Sequence, residues 1–423
     1  MHTALFAIII ANIVYAFDLS MPFNRNIYKK LDLSTAIVTY VEIKDIHSLK
    51  SPVYTHTYRM RNFGNSLVSP IVMDMITALL LNVLKNSSKK ELITYLIRNK
   101  VGKIPLSDMY KSEFSYLNDI ENIELYFGNA IYVQKSVNLT NNFISLCMKK
   151  KLHCSKVDFK NNVQTARIIN SWVEEKTNDK LPHVIFPDVD INKDTKIMLI
   201  NVAYFHIGLD NIKAKISEKR KYYVTPSKLF YVPTIQIENL SFIYGEVPYW
   251  NAKFVEIPVS NANITINIFY PIEKGSEGLE YMLNKLDFDE FKLIKNVYTN
   301  KFENIDYLIL PRFTIEYHEN MTTFYYQNGV TTMFKNDADL TGLSKIPLKV
   351  NNIFQTNFIY INLGNLEAPN VNENKVREPA DSQKQLIIDC PFYYAINVHG
   401  EVAFAGVMQA PEFLFRGYRK DEL

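Results

Sequence analysis

With 423 residues, 47% of them hydrophobic and 22% charged, the chain has the composition of a globular protein with a large core, which excludes disorder. Its 47 basic residues stand against 44 acidic ones, and a net charge of +3 over that length excludes charge-driven binding to nucleic acid or an anionic membrane. Three cysteines are too few for a disulfide framework; Cys147 and Cys154 lie seven apart and either pair in an oxidising compartment or stay as buried thiols, and Cys390 stands alone.

At the amino terminus, Ala4 to Val14 is almost wholly apolar, and Val14-Tyr15-Ala16 offers small or branched residues to signal peptidase. Residues 1–16 therefore read as a signal peptide, despite a positive n-region reduced to the amino terminus and His2. Eleven apolar residues are too few to span a bilayer, and no other stretch reaches spanning length. Ser69-Pro70, an N-cap followed by proline at the first helical position, leads into Ile71 to Leu84, apolar on nearly every face and so predicted to be a buried helix. Ser88 and Glu91 have the spacing of a capping box for a helix over Lys89 to Arg98, and Thr165 opens a third helix in which Ile169, Trp172 and Val173 share one face.

Further along, Ile197 to Phe205, Ile264 to Tyr270, Tyr307 to Leu310 and Ile353 to Leu363 are rich in branched and aromatic residues and predict strands. Gln385 to Asp389, Phe392 to Val398 and Glu401 to Val407 close the chain as strands, with His399-Gly400 as a tight hairpin turn. Helices first and strands later predict an α+β fold, and the absence of any repeat, low-complexity tract or Gly/Pro/Ser linker predicts one domain. Glycan acceptor sequons stand at Asn86, Asn138, Asn239, Asn263 and Asn320, although an Asn-rich chain generates some by chance. The chain ends in Lys420-Asp421-Glu422-Leu423, a retrieval signal for the endoplasmic reticulum lumen that agrees with the signal peptide.

No Gly-x-Ser-x-Gly elbow, phosphate-cradling glycine loop or His-Glu-x-x-His is present, and the eight histidines lack metal-ligand spacing. His153-Cys154 beside Cys147 comes nearest to a site and reads as a surface histidine next to a structural thiol pair. Neither catalysis nor a metal or cofactor is expected.

Several segments, in order, resemble the serpin family, whose members trap proteases by inserting a cleaved surface loop into their own main sheet. Asn65-Ser66-Leu67-Val68-Ser69-Pro70 looks like the family's N-x-x-x-S-P helix start, and Ile169 to Thr177 is close to its most recognisable stretch. Further similarities are Leu199 to Phe205, Pro248-Tyr249-Trp250, Leu310 to Phe313, Ala338 to Gly342 and Pro391 to Tyr394. The resemblance implies three β-sheets with a cluster of about nine helices, an exposed reactive-centre-type loop near 364–384, a serpin domain over 17–411, a tail over 412–423 and a monomer.

The loop after Ile353 to Leu363 decides the mechanism, because in an inhibitor it must become a new central strand. Placed by the resemblance, the hinge begins at Leu366, and the residues that would turn inward are Leu366, Ala368, Asn370, Asn372, Asn374 and Val376. Each amide buried without a partner costs roughly 1–3 kcal/mol, and Pro369 lacks the N–H a central strand must donate. Glu367, Glu373, Lys375 and Arg377 on the opposite side suit solvent. Val72 stands where the family usually has a small hydroxyl residue and Leu209 where it usually has tryptophan. The scissile bond falls within Arg377 to Ser382: Arg377–Glu378 suits a trypsin-like enzyme and Asp381–Ser382 an aspartate-specific one.

These features lead to an expectation of a reticulum-retained serpin without suicide inhibition that binds a protein client and, through its C-terminus, the retrieval receptor. The collagen-binding chaperone of the same family is the nearest functional analogue. The alternative is a protease inhibitor of the secretory pathway.

Overall fold

The computed structural model describes residues 65–98, 123–150, 152–177, 179, 181, 183–208, 214–238, 242–259, 264–274, 276–286, 288–299, 305–312, 314–362 and 384–410. Their strands form three sheets, and helices come mainly from the first half of the chain. One sheet orders β1 (Ser66–Val68), β15 (Glu401–Met408), β14 (Phe392–Val398), β9 (Ile264–Pro271), β8 (Ala252–Val259) and β7 (Ile243–Val247). A second orders β13 (Gln385–Ile387), β10 (Tyr307–Pro311), β6 (Lys228–Glu238) and β5 (Ala214–Thr225). The main sheet orders β11 (Thr314–Asn320), β12 (Asn352–Asn362), β4 (Ile197–Gly208), β2 (Ile123–Gln134) and β3 (His153–Val157).

Local chemistry explains the closing hairpin. Val398 pairs with Glu401 across two residues, and both lie in the left-handed region, His399 at φ 54° and Gly400 at φ 79°, the twist a two-residue turn between right-twisted strands requires. The inner faces of the sheets meet in one apolar cluster, where Phe205 of β4 stacks on Phe404 of β15 with ring centroids 5.7 Å apart. Helix α1 (Pro70–Val83) enters this core behind Pro70 and is buried nearly all round, its Ile71, Val72 and Met75 joining that cluster and Ile76, Leu80 and Val83 a second one. Ser69 is its N-cap as expected, but the hydroxyl donates to the Ala403 carbonyl (2.8 Å) and so ties the helix start to β15.

Two helix starts differ from expectation. Helix α2 (Asn86–Arg98) begins three residues before Lys89, and the Ser88/Glu91 capping box does not form. Ser88 Oγ accepts from the Asp339 N–H, and the Glu91 carboxylate accepts from the Thr331 and Thr332 N–H groups, each at 2.7 Å; a distant loop competes for both side chains and wins. Helix α4 (Asn162–Lys176), which follows α3 (Asn141–Lys149), is capped by Asn161, whose side chain accepts from the Gln164 N–H, while Thr165 lies in the first turn and donates to the Asp158 carbonyl. The remaining helices are α5 (Pro187–Asp190), α6 (Ser276–Lys285), α7 (Phe288–Tyr298) and α8 (Thr322–Gln327), with 3-10 turns at Pro248–Trp250 and Thr332–Phe334. No helix among the described residues is long and apolar enough to cross a membrane.

Candidate functional site

The centre of the main sheet is its most unusual feature. β4 and β12 run parallel, in register from Met198 opposite Asn352 to Gly208 opposite Asn362, while β2 lies antiparallel to β4 and β11 antiparallel to β12. A strand leaving the end of β12 and turning back between these two would be antiparallel to both, so the junction is the place in this sheet that can accept it.

Both faces of the junction are closed. Inward, Ile197, Leu199, Ala203 and Phe205 of β4 and Ile353 and Ile359 of β12 pack toward the core. Outward, Met198, Ile200, Val202 and Tyr204 with Phe354 and Phe358 lie beneath Ala166, Ile169, Trp172 and Val173 of α4, and Tyr204 stacks on Phe358 at 5.7 Å. At the end where residue 363 departs, Glu124, His206 and Tyr360 are register partners across β2, β4 and β12; Tyr204 donates to Glu124 (3.0 Å), and His206 lies against the Tyr360 ring.

A band of carboxamides interrupts the apolar inner face. Asn129, Asn201 and Gln355 are register partners across β2, β4 and β12, with Asn357 two residues on. Gln355 Oε1 accepts from the Ser69 N–H (3.1 Å) and from Asn357 Nδ2 (2.8 Å), Gln355 Nε2 donates to the Ser69 carbonyl (3.1 Å), and Asn357 Nδ2 also donates to the Leu67 carbonyl (3.0 Å). The Oδ1 atoms of Asn129, Asn201 and Asn357 are buried and have no protein partner. The signal for this band was present as single amides inside otherwise apolar runs, yet an apolar run reads as a strand whether or not it carries one. Val72 is fully buried in the apolar cluster between the sheets.

Hinge residues Leu366, Ala368, Pro369, Asn370 and Asn372, bait residues Arg377, Glu378, Asp381 and Ser382, position Leu209, the signal peptide and Lys420 to Leu423 lie outside the described residues. The structure gives the two ends of the loop: residues 363–383 connect β12 in the main sheet to β13, which pairs with β10 in a different sheet. Asn86 and Asn138 are exposed, and Asn86 Nδ2 donates to Asp339. Asn320 is half-buried with its amide engaged by Asn352 and Thr322, and Asn239 and Asn263 lie outside the described residues. Cys147 and Cys154 form a disulfide, Cys390 is a buried free thiol, and His153 lies beside Trp172 with ring centroids 5.3 Å apart.

The matched motifs have packing roles. Asn65 ties the start of β1 to the residues just after β15, its Oδ1 accepting from the Gln409 and Ala410 N–H groups. Gly342 lies so close to the end of α1 that a Cβ would sit 2.5 Å from the Val83 carbonyl oxygen, which accepts the Gly342 N–H.

Residues 48–411 match the family model described as "Serpin (serine protease inhibitor)". Among curated relatives, Antitrypsin of Bombyx mori is 27% identical over 314 residues, covering 72% of this chain and 79% of its own, and Neuroserpin of Homo sapiens is 26% identical over 378 residues, covering 84% and 88%. The crystal structure of uncleaved ovalbumin superposes with a TM-score of 0.69 at 19% identity, covering 85% of this chain and 97% of that one, which concerns the fold alone. A family match over most of the length, joined to a three-sheet fold with a parallel central strand pair, establishes that this chain belongs to the serpin family.

Proposed function

We propose that this serpin is a protein-binding, chaperone-like member of the endoplasmic reticulum lumen that does not complete suicide inhibition. The observation that carries the reading is the hinge sequence set against the junction it would have to enter. The walls of β4 from Ile197 to Phe205 and of β12 from Ile353 to Ile359 are buried, so an inward-facing side chain of a strand entering between them loses water. Asn370 and Asn372 would each bring a carboxamide into that space, and Pro369 would leave a backbone carbonyl without a donor. Several kcal/mol of opposition acts where speed matters, because a serpin must drag its acyl-enzyme partner away before water releases it. With loop entry disfavoured, the exposed scaffold is left for a client protein, and Lys420 to Leu423 keep it in the lumen by engaging the retrieval receptor.

Incubation of the purified protein with trypsin-like and aspartate-specific proteases is expected to give loop-nicked serpin and free, active enzyme. A complex that survives boiling in detergent would overturn the reading. Nicking is also expected to leave the thermal midpoint nearly unchanged, and deletion of the last four residues to send the protein into the medium.

One observation favours inhibition instead. Asn201 Oδ1 and Asn357 Oδ1 stand on the two strands that flank the junction, buried and without protein partners, and an incoming carboxamide NH2 would find an acceptor there. On that reading Arg377 or Asp381 is the bait, and the same gel decides.

A further inference from the structure

Of the strands that end a sheet, β5 is the longest. It spans 12 residues, and among the described residues no strand pairs with it on the side away from β6, whereas β1, β3, β7, β11 and β13 end their sheets over 3 to 7 residues. The backbone donors and acceptors along such an edge are a template for one more strand. Toward the hairpin end one donor is already used, since the Asp389 carbonyl accepts the Tyr223 N–H at 2.7 Å. The stretch before it runs in register with β6 from Ala214 to Ser217 and again from Arg220 to Tyr223, with a bulge between.

Charge decides what that strand must carry. Between Lys215 and Lys228 the hairpin holds Lys215, Lys219, Arg220, Lys221 and Lys228 against Glu218 alone, so a chain of nearly balanced charge concentrates positive charge here. Arg220 is buried, but Lys215 and Lys228 are exposed and Lys219 half-buried, and none of these three lysines makes an ion pair among the described residues. Lys215 stands on the solvent face, because Ala214 beside it and Ile237 opposite Ala214 pack on the core. Lys215 and Lys228 lie over the Tyr307 and Phe230 rings, at 5.8 and 5.5 Å, contacts that leave their charge uncompensated. A second copy is a poor occupant of this edge: pairing β5 with β5 brings the same lysines together, and like charges set across a strand pair are destabilising. An acidic segment reverses that sign.

We propose that the outer edge of β5 receives an extended acidic segment of a partner protein, which joins this sheet beyond β5 with backbone hydrogen bonds along Ala214 to Lys219 and sets its carboxylates against Lys215 and Lys219. The inference rests on the protein-binding reading above and deepens it by naming where a client docks and what it carries. Main-chain pairing supplies affinity with little regard to sequence, and the lysines restrict it to acidic clients.

Fluorescence anisotropy with the full chain at low salt tests this. The probes are a labelled peptide of about ten residues alternating Val and Glu, long enough to pair along one strand, the same peptide methylated at every backbone nitrogen, and a heparin oligosaccharide. The parent peptide is expected to bind saturably and the methylated one, equal in charge but unable to donate, at least about tenfold more weakly. Lys215→Glu with Lys219→Glu should weaken the parent about tenfold. Lys160→Glu with Lys193→Glu makes the same change in net charge at exposed lysines outside this sheet and should alter binding less than about twofold. The proposal is overturned if the parent does not saturate, if the methylated peptide binds as tightly, if the two double variants weaken binding alike, or if heparin binds the β5 lysines more tightly than the peptide, which would make the surface a polysaccharide site. These readouts are independent of the protease gel, so peptide binding beside a covalent protease complex would strike the non-inhibitory reading and support this surface.

Discussion

Gln355→Ala tests how β12 is tied to the start of α1. The side chain accepts from the Ser69 N–H and from Asn357 Nδ2 and donates to the Ser69 carbonyl, and Ser69, Gln355 and Asn357 all have 0% exposure. Water cannot reach the Ser69 N–H, which costs about 1–3 kcal/mol once its partner is removed, while the Ser69 carbonyl loses one of two donors and keeps the Met73 N–H at 3.4 Å. Truncation also leaves a void in a packed core, which adds to the loss. The expected total is about 3–6 kcal/mol, a large part of the 5–15 kcal/mol typical of a folded domain. The assay is urea unfolding followed by circular dichroism, read at the first transition, since a chain of this size need not unfold in two states. Gln355→Met keeps the volume and loses the same hydrogen bonds, so the difference between the two variants isolates the void. Should Gln355→Met unfold within about 1 kcal/mol of wild type, the carboxamide would be filling space rather than holding Ser69, and the account of the band would be refuted.

Other consequences are sharp enough to measure. Cys147 and Cys154 close a loop with a separation of seven residues, and loop-closure entropy puts its loss in Cys154→Ala at about 2.5 kcal/mol, read by the same denaturation. The Cys390 thiol, pushed up to about 12 by burial first and by Asp389 next, is expected to resist thiol reagents at pH 8 until urea unfolds the chain; reaction in the native state would contradict its burial. The Asp158 carboxyl is lowered to about 2, first by its hydrogen bond from Lys135 and then by that from Gln134. Because the folded value lies below the unfolded one, its contribution is complete above the ordinary carboxylate range and is lost as pH falls toward 2. In Lys135→Ala an NMR titration should find Asp158 titrating at higher pH; an unmoved value would rule out Lys135 as the cause.

What could be read from the residues and what could not divides along the range of the interactions. Strands over Ile197 to Phe205, Ile264 to Tyr270 and Phe392 to Val398, the turn at His399-Gly400 and the buried helix behind Pro70 were legible because local pattern and turn chemistry decide them. Ser88 and Glu91 misled because their partners, Asp339 and the Thr331-Thr332 backbone, lie some 240 to 251 residues away, beyond any local rule. The parallel pairing of β4 with β12 was invisible for the same reason: nothing within either segment names its neighbour. The disulfide was legible as one of two alternatives and His153 as a neighbour of it, whereas Asn129 and Gln355 belong to strands that come into one row only on folding.

The carboxamide band bears directly on how far the hinge asparagines oppose insertion. Asn and Gln are not excluded from this sheet: Gln355 and Asn357 have 0% exposure, and backbone groups around Ser69 and Leu67 supply their partners. Burial of an amide is therefore costly here only in proportion to the partners it lacks. Asn201 and Asn357 each keep one unpaired oxygen beside the junction, an acceptor for an incoming NH2. An inserted asparagine meeting such an oxygen would recover part of its cost but leave its own carbonyl unanswered, while Pro369 recovers nothing, because a missing N–H has no remedy in a ladder. It follows that Pro369→Ala should speed insertion after nicking more than Asn370→Ala or Asn372→Ala alone. Measured as the rate at which the nicked protein gains thermal resistance, a larger effect from either asparagine would assign the barrier to side-chain burial and not to the backbone.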